Sequence, residues 1–212
     1  LGFKDSIKRA KVSLGETISR FDLPAAPFRD LLDAFRQDCR VRRYARWDDL
    51  LDYCRRSANP VGRLVLRLFG HADEERALLS DAICTGLQLT NFWQDVAVDL
   101  AKDRIYLPAE DRQRHGVSED DLRSGRLHEG TRALLLEMIS RTRTRFAEGR
   151  PLLASLGGRL ALEVRLTWLG GHRILDRIEA AGCDVFRARL ALTLSDKARL
   201  GARALLGRRA LP

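Results

Sequence analysis

Apolar residues recur along this chain at intervals of three and four, the spacing that holds them on one side of an α-helix. Residues 4–20 predict a first helix, closed by the break "DLPAAP" at 22–27. From Pro27 the stretch "PFRDLLDAFRQDCRV" sets Phe28, Leu31, Leu32 and Phe35 at helical spacing. Proline suits a first turn, where its missing N–H costs nothing. Trp47 to Arg56 predicts another helix, "SANP" a turn, and Pro60 a restart through Phe69, with Gly70 as the stop. Asp73 caps a long helix running to about residue 101, and Glu74 and Glu75 suit its positive end. A polar connection follows from Lys102 to Gly125, holding short helical pieces and a capping box at Ser118-x-x-Asp121. Residues 129–156 and 159–181 predict two long helices separated at Gly157-Gly158, and Ser195 to Leu206 a last one. Gly170-Gly171 falls inside the second, where each glycine costs about 1 kcal/mol against alanine. Close helix packing accounts for such a pair, and so does room for a ligand. The expectation is an all-α fold in a single domain spanning residues 1–212.

Composition narrows the function classes. A chain of 212 residues, 45% hydrophobic, is long enough for one sizeable core. The formal charge of +9 raises three partners: nucleic acid, an anionic membrane surface and anionic small molecules. The arginines are spread along the chain, which points to solvated helix faces. Zinc-finger spacing, an RNP-like aromatic motif and an obvious recognition helix are all missing, so nucleic acid is not an expected partner. Cys39, Cys54, Cys84 and Cys183 show no pairing or metal-like spacing and read as reduced thiols of a cytoplasmic protein. No apolar run reaches the length of a membrane span. The chain begins at Leu1, as a processed or partial chain would.

The candidate chemistry lies in "LQLTNFWQDVAVDLAKDRIYLP", residues 87–108. On a helix Asn91, Asp95 and Asp99 form one stripe, and Gln88 joins it a turn earlier. Two carboxylates in an apolar setting are costly to bury unpaired. A Mg²⁺ ion relieves that cost, since it takes oxygen ligands and is typically held by one or two carboxylates plus substrate phosphate. Arg104 stands close enough in sequence to pair with such a phosphate. A surface helix whose acids pair with nearby arginines has the same spacing.

The same stretch resembles the second aspartate-rich motif of the squalene and phytoene synthase family, a pattern like L-Q-L-T-N-x-x-x-D-x-x-x-D followed by an Arg and "YLP". "DYCRRSANPVGRLVLRLFG" (52–70) looks like the family's Tyr-Cys segment, "FRDLLDAFRQD" (28–38) its preceding helix, and "RILDRIEAAGCDVFRAR" (173–189) its C-terminal helix and turn. "SANPVG" and "NFWQD" resemble the hopanoid-pathway branch, the hydroxysqualene synthase type. The resemblance implies an isoprenoid-synthase-type helical bundle around a central cavity. It implies Mg²⁺ as cofactor and a prenyl diphosphate as partner, presqualene diphosphate converted to hydroxysqualene with release of diphosphate. Head-to-head condensation of farnesyl diphosphate is the alternative. Carried over by position, Asp95 and Asp99 bind the metal with Asn91 beside them, and Tyr53 joins the two aspartates in catalysis. Gln88, Asn91, Phe92, Arg104 and Arg189 contact substrate. A membrane-soluble product implies a peripheral position at the inner membrane face.

Three departures qualify the resemblance. Gln94 stands where many relatives carry Arg, and Cys183 where many carry Tyr. The family's first aspartate-rich motif has no counterpart in residues 1–20, which hold only Asp5 and Glu16, so the resemblance implies an N-terminally truncated bundle. Asp48-Asp49 falls on a different helix in the order and is no substitute. A non-catalytic helical protein that binds prenyl lipid or a partner stays open beside the enzyme.

Overall fold

The computed structural model describes residues 3–205, with side chains from Val12 onward. Twelve helices follow one another among them: α1 (Phe3–Arg20), α2 (Ala25–Asp38), α3 (Trp47–Ser57), α4 (Asn59–Leu68), α5 (Glu74–Gln94), α6 (Val96–Leu100), α7 (Ala109–Arg114), α8 (Glu119–Arg123), α9 (Glu129–Gly149), α10 (Leu152–Ser155), α11 (Gly158–Ala180) and α12 (Leu194–Leu205). An isolated parallel bridge, Arg43 to Ile105, is the one β-type pairing among the described residues. The all-α expectation therefore holds.

Local chemistry explains most boundaries. The Asp73 carboxylate accepts from the Arg76 N–H and opens α5. Ser118 and Asp121 cap α8 reciprocally, as their spacing predicts. Gly70 takes a positive φ of 82° after α4, which glycine adopts without Cβ strain, and the chain turns there. Pro24 precedes α2, so that helix starts at Ala25 and Pro27 sits inside its first turn.

Two expected helices are divided. The helix predicted to reach residue 101 breaks at Asp95, whose backbone (φ −105°, ψ 16°) leaves the helical region. The one predicted over 129–156 ends at Gly149, because Pro151 cannot supply an N–H and the short α10 restarts beyond it. Leu206 and Leu1, and the side chain of Asp5, lie outside the described residues.

α5 runs through the middle of the bundle and packs against α3, α4, α9, α10 and α11. Leu89, Trp93, Leu134, Leu135, Met138, Ile139 and Phe146 have no exposed surface at its centre. The Trp93 indole N–H donates to the Thr142 hydroxyl at 2.8 Å, which ties α5 to α9 without stranding a buried donor. A Cβ on Gly171 would stand 2.6 Å from Phe146 Cζ, so α11 approaches α9 as closely as it does only because residue 171 has none. Close packing thus explains Gly171. Gly170 differs: its nearest neighbour would be Leu192 Cδ1 at 3.7 Å, and it borders open space.

Candidate metal and diphosphate site

The polar stripe lies where α5 gives way to α6. Backbone bonds persist through the break, Asp95 N–H to Asn91 O at 2.9 Å and Asp99 N–H to Asp95 O at 2.8 Å, so the two carboxylates remain about one turn apart. Beyond α6 the chain reverses through Asp103, at a φ of 55°, and the Arg104 N–H returns to the Asp99 carbonyl at 2.8 Å. That turn brings the arginine back beside the aspartate.

The carboxylates differ in surroundings. Asp95 is gripped by Arg189 from the segment between α11 and α12, with Nε to Oδ1 at 2.5 Å and Nη2 to Oδ2 at 3.1 Å. The Asp99 carboxylate is half-buried and makes no hydrogen bond or ion pair among the described residues. Burial raises its pKa first and the neighbouring Asp95 charge adds to this, while Lys102 and Arg104 pull the other way. Gln88 is half-buried and Asn91 exposed, and neither amide has a side-chain partner among the described residues.

An aromatic wall backs the stripe. Phe92 stacks on Tyr106 with ring centroids 3.9 Å apart, and Tyr53 packs against Phe92, Tyr44 and Tyr106. Phe92 is only 3% exposed, and the interior void beside it is about 10 Å³, so in this state it packs the core. Tyr53 is also buried; burial and the Asp38 carboxylate push its hydroxyl pKa well up, and it stays a neutral phenol. Arg104 donates from Nη2 to the Asp38 carbonyl at 3.1 Å and meets the Tyr106 hydroxyl. Asp38, Tyr44 and Tyr106 were not expected as site residues. Only Tyr106, inside the quoted "RIYLP", carried a signal in the sequence. Asp38 and Tyr44 come together with it because the 105–110 strand of chain bonds back to residues 42–45.

Gln94 donates from Nε2 to the Leu190 carbonyl. The tie anchors the 189–192 segment on α5 and so sets Arg189 over Asp95. Asn91, Gln94, Gly170 and Arg189 then border an open cleft of about 360 Å³ between α5 and α11. Tyr53 does not line it.

Two carboxylates a turn apart, one of them unpartnered, beside a free amide, make an all-oxygen donor set that suits Mg²⁺. No cluster of three or more Asp, Glu, His or Cys able to hold a metal occurs among the described residues. The fit is therefore to an ion that shares its shell with water and phosphate rather than one caged by protein.

Comparison with known proteins identifies the family. Residues 4–196 match the squalene/phytoene synthase family. Phytoene synthase of Thermus thermophilus is 34% identical over 203 residues, 94% of this chain and 68% of that protein. Chloroplastic phytoene synthase 1 of Solanum lycopersicum is 31% identical over 191 residues, 87% of this chain and 46% of its own length. The chain thus spans about half the length of the plant relatives it matches. Among solved structures, squalene synthase HpnC from Alicyclobacillus acidocaldarius is 46% identical and superposes with a TM-score of 0.78, over 80% of this chain and 64% of that one. A dehydrosqualene synthase, 22% identical with a TM-score of 0.79 over 91% of this chain and 68% of its own, shares the fold.

Proposed function

The chain belongs to the squalene/phytoene synthase family, and we propose that it contributes the second aspartate-rich half of a Mg²⁺-dependent prenyl diphosphate site. The reaction class is head-to-head prenyl coupling chemistry. The specific step is the one that follows such coupling, in which presqualene diphosphate and water give hydroxysqualene and diphosphate, with head-to-head condensation of farnesyl diphosphate as the alternative. The observation that carries the reading is Asp99: a half-buried carboxylate with no hydrogen bond or ion pair among the described residues, beside a second carboxylate and two amides likewise without a side-chain partner there. Evolution of a stable fold alone gives no reason to keep an unpaired charge there.

Bound Mg²⁺ would supply the positive charge that takes up diphosphate as the C–O bond ionises, cyclopropylcarbinyl in presqualene diphosphate and allylic in farnesyl diphosphate. Asp95 and Asp99 hold the ion, with Asn91 beside them, and Gln88 meets the ligand one turn away. Arg189 lies on Asp95 and is 52% exposed, so it is placed to swing a guanidinium fork onto phosphate once a cation neutralises that carboxylate. Arg104, held by Asp38 and Tyr106, points a second cation towards Asp99. The neutral Tyr53 hydroxyl and the stacked rings of Phe92 and Tyr106 border the site on its apolar side, where they delay water until the carbocation has rearranged. No described helix is long and apolar enough to cross a membrane. Work at a cytoplasmic membrane face would let the hydrocarbon alcohol partition directly.

A second reading, a helical prenyl-lipid binder without turnover, draws on one feature. Arg189 already occupies both oxygens of Asp95. The deciding experiment is a product assay of this chain with Mg²⁺ and presqualene diphosphate, in parallel with farnesyl diphosphate, read by mass spectrometry of extracted lipids. Hydroxysqualene from the first substrate establishes the enzyme reading. Mg²⁺-dependent diphosphate binding without product, lost in Asp95→Ala, establishes the binder. Binding unchanged in Asp95→Ala overturns the site assignment itself.

A further inference from the structure

α11 separates two clefts. One borders Asn91 and Arg189 through Gly170, Gly171 and Ile174. The other opens on the opposite side of the helix, between α9, α11 and α12, and has a volume of about 360 Å³. The two share no residue, and the Phe146 ring wedged against Gly171 stands between them.

The second cleft has an aromatic floor and a basic rim. The Trp168 and His172 rings lie 4.0 Å apart, with Phe146 4.8 Å from the imidazole. Around them stand Arg143 and Arg150 from the end of α9, Arg173 from α11 and Arg203 from α12. Arg143 meets Asp176 at 2.9 Å and Glu179 at 2.5 Å, while Arg173 and Arg177 share Asp196 at 2.7 and 3.0 Å. Among the described residues, four arginines and one carboxylate, Asp176, line the recess, so its rim is mainly cationic. Helix-to-helix ion pairing explains Arg143 and Arg173. It leaves Arg150, whose guanidinium has no hydrogen bond or ion pair among the described residues. His172 Nε2 is buried there without a partner. Burial, then the nearby Arg143 charge, lowers the imidazole pKa to about 4, so the ring is neutral and adds no charge of its own.

We propose that this cleft binds a phosphate or diphosphate group, gripped by Arg150 with Arg143 and Arg203 and seated over the Trp168–His172 floor. Guanidinium forks match phosphate oxygens bidentately. The chemistry has two sources, a free phosphate or diphosphate in solution and the headgroup of an anionic phospholipid. The inference is independent of the role of the Asp95–Asp99 stripe.

The test is titration calorimetry with inorganic diphosphate in EDTA, which silences any metal-dependent site. It compares the unaltered chain, Arg150→Ala, Arg150→Ala with Arg203→Ala, Asp99→Asn at the stripe, and Arg159→Ala as a control arginine at the far end of α11. The expected result is metal-independent binding, equal in Asp99→Asn and Arg159→Ala, weakened about tenfold in Arg150→Ala and lost in the double variant. Arg150 is exposed, so its removal leaves the fold intact, and circular dichroism melts verify this. A second arm floats the same proteins with phosphatidylcholine vesicles, with and without phosphatidic acid. Binding in the first arm assigns the site to a soluble anion. Binding only to phosphatidic acid vesicles, with the same loss in the variants, assigns it to a lipid headgroup. Absence of binding in both arms, or equal weakening by Arg159→Ala, overturns the proposal.

Discussion

At the residue scale, Asp99 and His172 are two side chains whose environment opposes their charged form. Asp99 keeps a half-buried charge next to Asp95, so Asp99→Asn should leave the melting temperature unchanged or higher while it abolishes Mg²⁺-dependent diphosphate binding. A lowered melting temperature together with retained binding would show that the carboxylate serves the fold instead. His172 works in the opposite pH direction. Its folded pKa of about 4 lies below the ordinary value of 6.5, so the ring is neutral in both states above about pH 6.5. As pH falls from there to about 4, only the unfolded chain takes up the proton, and stability falls by up to about 3 kcal/mol. The groups facing the ring are Arg143 and Arg150 from α9, Arg173 and Asp176 on its own helix, and Arg203 from α12; of these Arg143 works with burial and Asp176 against it. Denaturant unfolding between pH 6.5 and 4.5 should show a shallower loss in His172→Gln than in the unaltered chain, whatever the offset between them. Parallel profiles would mean that the imidazole protonates freely in the fold.

At the element scale, the two glycines of α11 should respond with opposite signs. Gly171→Ala forces a methyl to 2.6 Å from Phe146 Cζ and 3.1 Å from Leu87 Cδ2. Overpacking of this kind costs about 1–3 kcal/mol. Gly170→Ala meets only ordinary contact at 3.7 Å and gains up to about 1 kcal/mol of helix propensity. Equilibrium denaturation of the two variants checks this, and a stable Gly171→Ala would mean that α9 and α11 can part without cost. Periodicity and capping made nearly every helix legible: Asp73 and Ser118 announce α5 and α8 through hydrogen bonds to residues three positions on. The break at Asp95 was not legible. No glycine or proline marks it. It falls where two β-branched residues, Val96 and Val98, lower helix propensity and where a remote arginine holds the carboxylate.

At the scale of the whole molecule, one core spans α2 to α12, and its closure can be read through the thiols. All four cysteines are free; Cys39 is exposed, Cys84 half-buried with its pKa raised to about 11, and Cys54 and Cys183 buried. An aromatic disulfide reagent should label Cys39 first, leave Cys54 and Cys183 unmodified until the chain unfolds, and reductant should not shift the melting temperature. Rapid native labelling of Cys54 would show that α3 does not stay docked on α2 and α5. Sequence alone determined the helices, the single core and the residues of the stripe. Each of these depends on spacings of three to eight positions, over which helical geometry is the same in every protein. The tertiary structure decided the rest. Arg189 and Asp95 are 94 positions apart, Arg104 and Asp38 are 66, and the two clefts are set by which side of α11 each arginine faces. Local pattern says nothing about contacts of that separation. They exist because α5 and α11 pack side by side, at a distance that Gly171 permits, and the loops between helices must then close over what the packing leaves.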